Sequence, residues 1–95
     1  MSDSDTQSLT QPEVEKATTT PWNVIVHNDN VNLHEYVTFV LMKIFGYSQH
    51  QAGALVSEIQ RESRSIVWTG EREKAELYVQ QLQAHQLRTS LEKAE

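Results

Sequence analysis

The sequence predicts an α+β domain: a small three-stranded antiparallel sheet packed against three helices, in the order β-α-α-β-α-β. Three observations point there. Short runs of β-branched and aromatic residues occur at 22–27 and 65–68, and an alternating apolar/polar run closes the chain at 87–91. Between them, apolar residues recur at helical spacing in three separate stretches. All seven aromatic residues lie beyond residue 20, which leaves about 75 residues to build one core. Three short strands with the helices on one face are the economical solution for a chain of that size.

The first strand is Trp22-Asn23-Val24-Ile25-Val26-His27, entered from Pro21. Asn28-Asp29-Asn30 stops it, because Asn and Asp side chains bond their own backbone and favour turns. A helix is expected from Asn32 to Phe45, with Leu33, Tyr36, Val37, Val40, Leu41 and Ile44 on one stripe. Asn32 is the expected N-cap, with Glu35 completing a capping box. Gly46 ends that helix and Ser48 caps the next, with Gln51 three residues on. The second helix buries Ala52, Leu55, Val56 and Ile59, and Gly53 inside it suggests close packing. Ser65 to Trp68 form the second strand. The third helix runs from Gly70, with Glu71 and Glu73 in its first turn and Ala75, Tyr78, Val79 and Leu82 on its stripe. His85-Gln86 is a turn, and Leu87, Thr89 and Leu91 alternate with polar residues in the last strand.

Composition narrows the function. Of a formal net charge of -5, residues 1–20 carry -3, together with eight Ser or Thr. Such a segment buries too little apolar surface to offset its ordering entropy and is expected to be a disordered extension, leaving residues 21–95 as the core domain. An acidic chain is a poor match for nucleic acid or an anionic membrane, and neither partner is expected. With no cysteine there is no disulfide, zinc–thiolate site or thiol nucleophile. No apolar run approaches the ~18–20 residues that span a bilayer, and the N-terminus lacks the basic and apolar regions of a signal peptide. The expected compartment is the cytoplasm, and the expected state is a monomer.

The search for reactive chemistry returns little. His27, His34, His50 and His85 show no i,i+3 or i,i+4 pairing, and no metal or other cofactor is expected. Nucleophile-elbow and phosphate-loop motifs are absent. A binding module is therefore the stronger class, and no catalytic residue is assigned. A small hydrolase using Asp29 or Glu35 with a histidine is the competing enzyme reading. One segment stands apart: Val26-His27-Asn28-Asp29-Asn30 places a carboxylate and two amides in one tight turn between a strand and a helix. On composition this is either a plain turn or a site for an ammonium group with an apolar remainder.

The run from Pro21 to Asp29, then Glu35-Tyr36-Val37, then Ile44-Phe45-Gly46-Tyr47, resembles the Clp protease adaptor family, ClpS. The resemblance continues through the second helix, the short strand, Ala75-Glu76 in the third helix and the final strand, in the same order. It implies an adaptor and not an enzyme. Family members recognise proteins with Leu, Phe, Tyr or Trp at the N-terminus (N-degrons) and deliver them to a Clp AAA+ unfoldase with its peptidase. Carried over by position, Asn28, Asp29 and Gln60 would bind the α-amino group. Asn32, His34, Val37, Val56, Ile59 and Leu87 would line the side-chain pocket, and Glu73 and Tyr78 would face the unfoldase. The chain departs from the family pattern at His34, usually Met, at Gln60, usually His, at Ser63-Arg64-Ser65, usually Gly-Lys-Ala, and at Tyr78, often Lys. The first two departures motivate an alternative: a modulator that docks on the unfoldase and redirects or inhibits substrate choice without binding N-degrons. The polar extension would engage the unfoldase.

Overall fold

The structure is a computed structural model and describes residues 20–94. The expected disordered extension lies, apart from Thr20, outside the described residues. The elements are β1 (Trp22–His27), α1 (His34–Phe45), α2 (Gln49–Glu62), β2 (Arg64–Gly70), α3 (Arg72–Ala84) and β3 (Thr89–Lys93), in the expected β-α-α-β-α-β order. The first strand of the chain is the central one: the sheet order is β2-β1-β3, antiparallel throughout. Both ends of the folded unit meet at one end of β1, where the Ala94 N–H donates to the Pro21 carbonyl at 3.0 Å.

Alternation along β1 sends Val24 and Val26 toward the helices. There they join Val37, Val40 and Leu41 of α1, Ala52, Val56 and Ile59 of α2, Val67 of β2, and Ala75 and Leu82 of α3. Ile25 points to the opposite, helix-free face, yet is fully buried. Arg64 is registered with His27 and Glu92 with Asn23, so both share Ile25's face of the sheet. They form a 2.9 Å ion pair between the two edge strands. That pair must pass over β1 between positions 23 and 27, which lays its side chains across Ile25. Exposed ion pairs add little themselves, about 0–1 kcal/mol, but their aliphatic stems can cover apolar surface.

The β1–β2 register slips once. Val24 faces Trp68 and Ile25 faces Ile66, leaving Val67 without a partner. The Val67 carbonyl is taken instead by the Tyr47 hydroxyl, which donates at 2.7 Å. The slip also brings Trp68 round to the helical side, edge-on to Tyr78 at 4.9 Å. Tyr78 packs on Phe45 at 4.6 Å and Phe45 stacks on Tyr47 at 5.1 Å. Burial pushes the Tyr47 hydroxyl above its usual range, and Tyr78 adds to the effect.

Several local expectations are corrected. α1 begins at His34, and Leu33, not Asn32, occupies its N-cap without any side-chain cap bond. The Asn32 amide is committed elsewhere, as described below. Leu33 consequently turns to solvent, and Tyr36 sits at the edge of the buried stripe. Gly70 belongs to β2: a Cβ there would lie 2.2 Å from the Trp68 indole, so the glycine makes room for the ring. The third helix starts two residues later, at Arg72. Gly53 is not a close-packing site, since a Cβ there would meet nothing within 4 Å. Leu87 is buried but precedes β3, its N–H bound to the Leu82 carbonyl at 3.1 Å. The Ser48–Gln51 capping box forms as expected.

Candidate functional site

The site is built where β1 ends. Beyond the ladder the chain is held from both sides. The His27 N–H donates to the Arg88 carbonyl at 2.8 Å, and the Asn28 N–H donates to the Ser63 carbonyl at 2.9 Å. Ser63 presents that carbonyl from the left-handed region, φ 72°, as the C-cap of α2. It is the position where the family pattern has glycine, the residue that adopts this φ freely.

Asp29 follows, and both of its carboxylate oxygens are fixed. Oδ1 accepts the Val31 N–H at 2.9 Å, and Oδ2 accepts the Asn32 side-chain amide at 3.3 Å. The same amide donates to the Gln86 carbonyl at 2.9 Å. Asn32 therefore ties the carboxylate to the turn between α3 and β3 and is unavailable to cap α1. Tyr36 makes a second tie to that turn, its hydroxyl donating to the His85 carbonyl at 2.9 Å. A carboxylate offers about four acceptor positions, so Asp29 retains capacity for a further donor.

Beside this carboxylate opens a narrow cavity. Its apolar walls are Val26 of β1, Val37 of α1, Val56 and Ile59 of α2, and Leu87 of the α3–β3 turn. Its rim is polar, from Asn28, Asp29, Asn32 and His34. His34 and Gln60 approach each other at the mouth, the Gln60 amide nitrogen lying 2.5 Å from Nδ1 and 3.0 Å from Nε2 of His34. A neutral imidazole has one acceptor nitrogen, so the amide donates to one of the two. Gln60 also borders an adjoining polar depression with Asn28, Asp29 and Asn30.

Nine of the residues singled out from the sequence thus come together: Asn28, Asp29, Asn32, His34, Val37, Val56, Ile59, Gln60 and Leu87. Glu73 and Tyr78 lie apart on α3. Glu73 is exposed in the first turn, while Tyr78 is half-buried between Phe45 and Trp68, so packing already accounts for its ring. Val26, His27 and Arg88 also line the cavity; the first two belong to the segment that stands apart in the sequence, and Arg88 was not singled out. Nothing in the sequence pairs His27 with Arg88. Among the described residues there is no cluster of three or more potential metal ligands, and no helix is long and apolar enough to cross a membrane.

The arrangement suits a small group that is cationic at one end and apolar beyond it. Comparison with known proteins gives it a context. A family model described as ATP-dependent Clp protease adaptor protein ClpS matches residues 17–92. The ClpS adapter protein of Streptomyces coelicolor is 42% identical over 72 residues, covering 76% of this chain and 75% of the relative. That of Rhodococcus opacus is 40% identical over 72 residues, covering 76% and 64%. That of Mycobacterium marinum is 46% identical over 68 residues, covering 72% and 67%. Among solved structures, Agrobacterium tumefaciens ClpS2 bound to L-phenylalaninamide superposes with a TM-score of 0.74 at 22% identity, covering 80% of this chain and 99% of that one.

Proposed function

The chain belongs to the ClpS family of ATP-dependent Clp protease adaptors, and from that premise we propose that it selects proteins by a bulky apolar N-terminal residue for a Clp AAA+ unfoldase. The observation that carries this reading is Asp29, with both oxygens fixed, at the rim of an apolar cavity. A protein's α-amino group has a pKa of about 7.7–8.0 and is mostly cationic at neutral pH. Asp29, Asn28 and the Gln60 amide oxygen accept its protons in charge-assisted bonds. The first side chain then enters between Val37, Val56, Ile59 and Leu87. Burying a Leu or Phe contributes roughly 1.5–3 kcal/mol, while micromolar affinity requires about 8. Neither half suffices alone, so the site demands a free amine and a large first residue together.

The bound A. tumefaciens relative supports the same reading, because L-phenylalaninamide carries a free amine and a benzyl side chain and little else. The test is a pair of Phe-initiated peptides, one free and one N-acetylated. Acetylation removes the charge; the free peptide is expected to bind and the acetylated one not. Equal binding would reject the reading. A second reading is favoured by the His34–Gln60 contact across the mouth: a modulator that docks on the unfoldase without binding N-degrons. Unchanged peptide binding and degradation after Asp29→Ala would select it.

The polar extension over residues 1–20 is proposed to act in delivery, and the protein to work as a cytoplasmic monomer with Glu73 toward the unfoldase. Deleting residues 2–20 is expected to leave peptide affinity intact and to stop degradation of the bound substrate. Unchanged degradation would assign the extension no such role.

A further inference from the structure

We propose that His34 is a positioning residue for the substrate's α-amino group. Its neutral ring holds the Gln60 amide with the oxygen toward the amine, and protonation of the ring turns that oxygen away, so recognition weakens at mildly acidic pH. This rests on the reading above, in which the amine sits beside Asp29 and donates one bond to Gln60.

The Gln60 amide has two ends and two neighbours. One neighbour is the His34 ring, whose nitrogens lie 2.5 and 3.0 Å from the amide nitrogen. The other is the polar depression that Gln60 borders with Asn28, Asp29 and Asn30. The end that the ring engages fixes the end left for the depression. A neutral imidazole has one acceptor nitrogen, so it takes the NH2 and leaves the oxygen. An imidazolium has two donors and no acceptor, so it must be met by the oxygen. The amide reaches that state by a half-turn about its terminal torsion, which is roughly two-fold. The substrate's ammonium group would then face the NH2, donor against donor.

No other side chain competes for the ring. The charged and titratable groups around it are Asp29, His27 and Arg88 on the cavity lining and Glu35 on its own helix. Among the described residues none of these is hydrogen-bonded or ion-paired to it. Both Asp29 oxygens hold other donors, and the His27 ring is bound to the Ser90 hydroxyl at 2.7 Å. Imidazoles ordinarily titrate near pH ~6.5, whereas carboxylates stay ionised and α-amines protonated down to about pH 5.5. A change between pH 7.5 and 5.5 therefore belongs to His34 or His27, and substitution separates them.

The experiment titrates a free-amine, Phe-initiated peptide against the full chain at pH 7.5 and 5.5. Loss of one bond to a charged group in the protonated fraction predicts a dissociation constant about three- to tenfold larger at pH 5.5. In His34→Gln and in Gln60→Met that ratio should shrink to within about twofold, and in His27→Gln it should persist. His34 and Gln60 are exposed, and thermal melting at both pH values checks that each variant folds. In the free protein, NMR should show the Gln60 side-chain amide signal moving with the same midpoint as the His34 ring. A His34 titration that leaves that signal still overturns the proposal. So does peptide binding with equal affinity at the two pH values, which leaves the first-residue reading standing. A ratio that survives Gln60→Met would assign the effect to the charge of the ring alone, and one lost in His27→Gln would assign it to His27; either overturns the positioning role. If no Phe-initiated peptide binds at either pH, both readings fall.

Discussion

The side-chain amide of Gln60, in the last turn of α2, lies 2.5 Å from Nδ1 of His34, the first residue of α1. The two positions at which the site departs from the family pattern are therefore in contact with each other. His34 and Gln60 behave as one element at the cavity mouth, and the variants His34→Ala, Gln60→Ala and the double variant should not add. The coupling expected for one exposed polar contact is about 0.5–1.5 kcal/mol in peptide affinity. Strict additivity would show that the two side chains act separately.

Asp29 and Asn32 should differ in size of effect but not in kind. Asp29→Ala removes the charged acceptor and is expected to weaken binding of a free-amine peptide by about ten- to hundredfold. Asn32→Ala leaves the charge but frees one carboxylate oxygen and the α3–β3 turn. Its expected cost is about three- to tenfold. For wild type, affinity should decline above pH ~8 as the substrate amine loses its proton. Isothermal titration from pH 6.5 to 9 measures all three, and a flat wild-type profile would exclude the ammonium interaction.

Tyr47 links alkaline pH to stability. Burial, then Tyr78, raises its pKa in the folded state. The folded protein thus holds this proton more tightly than the unfolded chain. Stability is complete below the unfolded value of about 10 and is lost as pH rises through the folded one. Tyr47→Phe should remove that part of the alkaline loss. It should also lower stability at pH 7 by about 1 kcal/mol, because the Val67 carbonyl at the register slip loses its donor. Urea unfolding at pH 7 and pH 10.5 separates the two effects. Equal alkaline losses in wild type and variant would assign the sensitivity to another group.

Three backbone substitutions should move stability in opposite directions. Gly53→Ala adds a methyl group into open space within α2 and should stabilise by about 0.4–1 kcal/mol. Ser63→Gly relieves a left-handed C-cap and should stabilise by about 1 kcal/mol. Gly70→Ala drives a Cβ into the Trp68 ring and should destabilise by about 1–3 kcal/mol. For a domain this small each kcal/mol is about 4–8 °C in Tm. A melting point for Gly70→Ala equal to wild type would mean that the indole moves aside freely.

What the sequence disclosed depended on how local the signal was. Val24, Val37, Val40, Leu41, Val56, Ile59 and Leu82 follow from periodicity alone, because one face of each element must be buried. Ser48 with Gln51 is legible because a capping box is contained within four residues. Asn32 misleads, since its alternative partners, Asp29 and the Gln86 carbonyl, win over the cap and one of them is 54 residues away. Gly70 misleads because a glycine read as the start of the third helix instead ends β2 and seats an indole two residues back. The contact between His34 and Gln60 spans 26 residues and two helices, and no spacing announces it. Of the cavity, the residues by themselves offered only the segment from Val26 to Asn30. The other wall residues gather into one list through the family resemblance, and Arg88 is added by the geometry.

β1 lies in the middle of the sheet, with the extension joined to one of its ends and Asn28 and Asp29 to the other. Both neighbours run antiparallel to it. Tension applied at Pro21 would therefore act along the strand axis and load the rungs of two ladders at once, in shear, rather than opening them one after another. Once β1 does yield, the strand that slides out carries Val24 and Val26 out of the core and Asp29 away from Asn32. On the proposed reading, release of an amine held at Asp29 and loss of the fold would be a single mechanical event.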